Sequence, residues 1–67
     1  MSGFRGIVTA FDREVGLGTV RREDGAEFEF HCIEIADGSR AISEGTAVQF
    51  ALLCKLGRYE AAQVAPA

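Results

Sequence analysis

The segment Glu27-Phe28-Glu29-Phe30-His31 alternates strictly between polar and apolar side chains, and Asp24-Gly25 stands just before it. Alternation with a period of two marks a half-buried strand, because successive side chains leave a pleated backbone on opposite faces. An Asp-Gly pair readily takes the positive-φ conformations of a tight hairpin turn. This strand therefore pairs antiparallel with the stretch before the turn, Gly16 to Arg22. Phe28 and Phe30 are expected in the core, with Glu27, Glu29 and His31 on the other face.

The rest of the chain is punctuated in the same way. Phe4 to Phe11 carries the β-rich run Ile7-Val8-Thr9 and ends at the polar break Asp12-Arg13-Glu14. A longer connection, Ile33 to Gly45, contains Asp37-Gly38 and precedes a fourth stretch, Ala47 to Leu53, with Val48, Phe50 and Leu52 on one face. Lys55-Leu56-Gly57-Arg58 reads as a turn into a fifth stretch, Tyr59 to Val64. Ala61-Ala62 suggests a helix only weakly, since the segment is too short to form one alone. The expected fold is all-β: a five-stranded antiparallel barrel in which closure removes the edge strands. On pattern alone an SH3-like barrel fits nearly as well as an OB-type one.

At 67 residues the chain has room for one domain, spanning 1–67, and one core. Most of its apolar residues must be committed to packing. No apolar run approaches the ~18 residues a membrane helix needs. The opening Met1-Ser2-Gly3-Phe4-Arg5 lacks the charged and apolar regions of a signal peptide, so a cytoplasmic location is expected and no membrane partner. Cys32 and Cys54 are too few for a disulfide framework and read as reduced thiols. No metal site is expected, because His31 and Cys32 are adjacent on a strand and diverge. No catalytic constellation or cofactor motif appears, which argues against an enzyme. Seven basic against ten acidic residues give a net charge of −3, which argues against the broad basic surface of a duplex-DNA binder. Single-strand binding survives this test, since stacking on aromatic side chains can supply much of its affinity.

Gly16-Leu17-Gly18-Thr19-Val20 and Phe28-Glu29-Phe30-His31, on consecutive strands, resemble the two RNP-type motifs of the bacterial cold-shock domain, Lys-Gly-Phe-Gly-Phe-Ile and Val-Phe-Val-His-Phe. Gly6-Ile7-Val8 and Phe11 resemble that family's opening Gly-x-Val-Lys-Trp-Phe. Ile35 fits its Ser-Ala-Ile, Ile42-Ser43-Glu44-Gly45 its Leu-x-Glu-Gly, and Glu60-Ala61-Ala62-Gln63-Val64 its Gln-Ala-Ala-Asn-Val. The six landmarks follow in order over about residues 5 to 64. The resemblance implies an OB-type barrel that binds single-stranded RNA or DNA on the face of its first three strands.

On that face the aromatic platform is depleted. Ala10 stands at the family's Trp, Leu17 and Thr19 at the two phenylalanines of the first motif, and Val15 at its Lys. Glu29 replaces the binding-face Phe of the second motif, and Cys32 the Phe after its His. Phe11 and His31 remain as planar side chains. Each lost platform forfeits ~1–3 kcal/mol of stacking, so several kcal/mol are missing even without full additivity. Arg21 shares strand parity with Leu17 and Thr19, and Arg5, Arg13, Arg22, Lys55 and Arg58 are near enough to contribute charge. The candidate interface is thus Phe11, Leu17, Thr19, Arg21, Glu29 and His31, with weak, salt-dependent binding. His31 serves there either as a stacking ring or as a surface hydrogen-bond partner of Glu29. The alternative is a protein-interaction or homodimerisation module, using the apolar patch of Ala10, Leu17, Thr19 and Cys32 with Leu53 beside it.

Overall fold

A computed structural model describes residues 3–36, 38, 39 and 41–67. Met1, Ser2, Asp37 and Arg40 lie outside the described residues, and with them the first two positions of the chain and half of the Asp37-Gly38 pair. Five strands follow one another: β1 (Phe4–Asp12), β2 (Leu17–Arg22), β3 (Glu27–His31), β4 (Ala47–Lys55) and β5 (Arg58–Pro66), with a 3-10 turn at Cys32–Glu34. Ala61-Ala62 belongs to β5, and the last two strands run further than the sequence pattern indicates. Every adjacent pair is antiparallel, in the order β3-β2-β1-β4-β5.

Local chemistry accounts for each reversal. After β1, Asp12 Oδ1 accepts from the amides of Glu14 and Val15 at 2.9 and 3.2 Å, bending the chain toward Gly16. Between β2 and β3 the Asp24 carboxylate accepts from the Ala26 amide at 3.1 Å, and Gly25 takes φ +95. At the β4–β5 hairpin both Leu56 (φ +50) and Gly57 (φ +80) are left-handed, the geometry that matches strand twist in a two-residue turn.

The sheet curls until β5 comes beside β3, but no ladder joins them. Closure by hydrogen bonding, expected from sequence, is therefore incomplete. Across the seam Arg58 Nη2 donates to Glu29 Oε1 at 3.3 Å. A parallel bridge of Ile35 with Val64, in which the Ala36 amide donates to the Val64 carbonyl at 2.7 Å, secures its other end. Inside lie Val8, Val20, Phe30, Ile35, Val48, Phe50, Ala61 and Val64, all buried. Phe28 is half-buried at the edge of this cluster, its ring 6.2 Å from that of Phe50, while Leu52 packs against it from β4.

Two irregularities set which side chains leave the barrel. In β1, Val8 pairs with Val20 but Ala10 pairs with Thr19, so Thr9 is an extra residue. In β5 the same happens opposite Phe50, where Gln63 takes φ +54 and its amide donates to Glu34 Oε1 at 3.3 Å. Simple alternation along β1 would put Phe11 on the outer face with Ile7. The extra residue reverses that parity, and Phe11 turns inward opposite Gly18.

Candidate nucleic-acid interface

The register of β1, β2 and β3 stacks the outward side chains in rows. His31 lies opposite Leu17, which lies opposite Asp12; Glu29 opposite Thr19, then Ala10; Glu27 opposite Arg21, then Ile7. Leu17, Thr19, Arg21, Glu29 and His31, five of the six candidates, therefore share one solvent face. Arg21, Glu29 and His31 are exposed, and Leu17 and Thr19 half-exposed.

Phe11 is placed differently. Its ring stacks on Phe30 at 6.0 Å with 16° between planes, and it is half-buried against the core. It still lines a shallow depression of about 210 Å³ together with Ala10, Leu17, Thr19 and Glu29. Phe11 is thus a core residue with one part in the face. Gly18 makes this possible: a Cβ there would stand 2.5 Å from Phe30 Cζ and 2.9 Å from Phe11 Cδ1.

The charges are arranged in ways the sequence only partly discloses. Glu29 gives its carboxylate to Arg58 across the seam; among the described residues no hydrogen bond joins it to His31. Arg21 lies 3.6 Å from Glu27, an exposed and weak pair that leaves its guanidinium accessible. Arg22 is not on the face at all. Its guanidinium sits 5.1 Å from the Phe4 ring centroid and 5.2 Å from that of Phe28, and it grips Asp24 through two hydrogen bonds of 3.0 and 2.7 Å. Those bonds, with the Ala26 amide, hold the Asp24 carboxyl down at about 2. Lys55 is engaged with Glu60 at 3.5 Å.

Cys32 also departs from the expected apolar patch. The strand ends at His31, and Cys32 opens the 3-10 turn with its side chain against the core, near Gly16. Leu53 is exposed but pairs with Glu60 where β4 has passed the end of β1, so it does not extend the patch. A larger depression, about 470 Å³, lies at the other end of the outer face, where Arg5 and Arg21 flank the exposed Ile7 and Ala47. Strand parity could have located Arg5 and Ile7 there; the depression itself arises from how β1 meets β4.

A five-stranded OB-type barrel with both motif strands side by side on one open face is the architecture of a class of small oligonucleotide- and oligosaccharide-binding modules. The chain belongs to the 'cold-shock' DNA-binding domain family, whose model matches residues 4–67. Among solved structures it is similar to the Drosophila Unr structure CSD456, with 25% sequence identity and a TM-score of 0.81 over 98% of this chain. The match covers 27% of that chain, so the present chain spans about a quarter of its length. No curated protein matches it.

Proposed function

We propose that the outer face of β1–β3 binds single-stranded RNA or DNA without catalysis, through His31, Leu17, Thr19 and Arg21, with Phe11 at its margin. The observation that carries this reading is the register that sets His31 against Leu17 and Glu29 against Thr19 on one solvent face of a cold-shock domain. Cold-shock domains bind single-stranded nucleic acids, and Leu17, Thr19 and Glu29 stand on this face where the motifs they resemble carry rings. Affinity then depends on charge, with Arg21 and Arg5 the accessible cations on the same face.

Two phosphate contacts on a single strand give a salt slope of about −1.4 in log–log terms. Raising salt from about 50 to 200 mM should therefore weaken binding about sevenfold. Fluorescence anisotropy with labelled oligo-dT and a mixed-sequence RNA measures this. No binding at about 100 μM protein in low salt would place any dissociation constant outside a useful range and refute the reading. His31→Ala should weaken binding to both strands.

A second reading, a protein-interaction module, draws on Leu56, fully exposed at the hairpin tip, and on exposed Ile33 and Leu53. Sedimentation at two concentrations separates the two: a concentration-independent monomer that binds single strands supports the first.

A further inference from the structure

Tyr59 is the feature neither motif accounts for. It is the second residue of β5, opposite Cys54, and is 60% exposed. Curling of the sheet brings this end of the hairpin over β3, where Arg58 reaches Glu29 at 3.3 Å. Around that contact lies a depression of about 440 Å³ lined by Thr19, Glu27, Phe28, Glu29, Arg58 and Tyr59. Thr19 and Glu29 also line the depression over the motif strands, so the two depressions share these residues on the outer face.

We infer that Tyr59 is a displaced stacking platform, which takes one unstacked nucleobase of a strand lying on the β1–β3 face. The inference rests on the function proposed above. The motif strands present Leu17, Thr19 and Glu29 where rings would stack, and besides His31 the exposed ring that shares a depression with Thr19 and Glu29 is Tyr59, on the neighbouring hairpin. Arg58 completes the site. Glu29 alone would set a bare carboxylate beside an incoming base and its phosphate; paired with Arg58, that charge is offset. Both partners are well exposed, so the pair adds little to stability. Its consequence is electrostatic, and a guanidinium there can itself stack on a base.

The chain offers a direct test, because it has one tyrosine and no tryptophan. Tyrosine emission from the unmodified protein reports on Tyr59 alone. Titration with unlabelled oligo-dT should quench that emission in parallel with the anisotropy change of a labelled strand. Tyr59→Ala should weaken binding about 5- to 150-fold, the loss of one stacked base, while Tyr59→Phe stays within about twofold. Thermal midpoints of the variants should match the parent, since the side chain is exposed.

If the parent binds single strands but tyrosine emission does not change, or Tyr59→Ala binds as the parent does, the inference fails and the proposed function stands. If the parent binds no strand, both fail.

Discussion

Gly18 shows how much of the face is decided by one missing side chain. Phe30 and Phe11 occupy the space its Cβ would need, with approaches of 2.5 and 2.9 Å. Two rings cannot both retreat in a core this small, so Gly18→Ala should destabilise the fold by about 2–3 kcal/mol, read from urea unfolding. The same change leaves Leu17, Thr19 and His31 facing outward. Its effect on binding, measured where the variant is still folded, should be far smaller than that of His31→Ala. The glycines of the first motif thus act on packing and turn geometry: Gly16, at φ +79, closes the β1–β2 turn by donating to the Asp12 carbonyl at 2.8 Å.

At the level of elements, the extra residue in β1 is the main departure from what strand parity implies. It moves Phe11 from the row of Ile7 into contact with Phe30. Phe11→Ala should therefore cost about 2–3 kcal/mol of stability, somewhat below a fully buried phenylalanine, with a matching fall in the urea midpoint. A purely face-mounted ring would change the midpoint little. The elements themselves were legible in the sequence. Strict alternation located β3, Asp24-Gly25 located its hairpin, and the motifs set both strands side by side. Three features were not legible. An extra residue in a strand depends on which ladder partner it meets, and nothing around Thr9 announces that partner. Arg22 reads as a surface cation until Phe4 and Phe28 are brought to either side of it. Tyr59 reads as an ordinary strand residue until the sheet curls and the seam places it beside Thr19.

For the molecule as a whole, an acidic net charge of −3 gives no long-range pull on nucleic acid, so recognition must be local. The same balance bears on acid stability. Asp24, held down at about 2 by Arg22 and the Ala26 amide, has a folded-state value below the ordinary 3.8. Its contribution is therefore complete above about 3.8 and is lost as pH falls through about 2. The difference in urea midpoint between the parent and Asp24→Asn should be constant near neutrality and shrink between those two values. A difference that grew on acidification would contradict this assignment.

The β1–β4 ladder has a further consequence, for the route by which the chain folds. Strands β1, β2 and β3 form one local meander and β4–β5 one local hairpin, and the ladder that joins them runs through pairs such as Phe4 with Phe50 and Ile7 with Ala47. Neither part has a core by itself: Val8, Val20 and Phe30 come from the first, Val48, Phe50 and Val64 from the second. Folding must therefore close a long loop before most of the apolar burial is gained, so the entropy of that closure sets the pace. Residues at this junction govern how fast the barrel assembles, whereas Leu17, Thr19 and His31 on the proposed binding face lie outside that ladder.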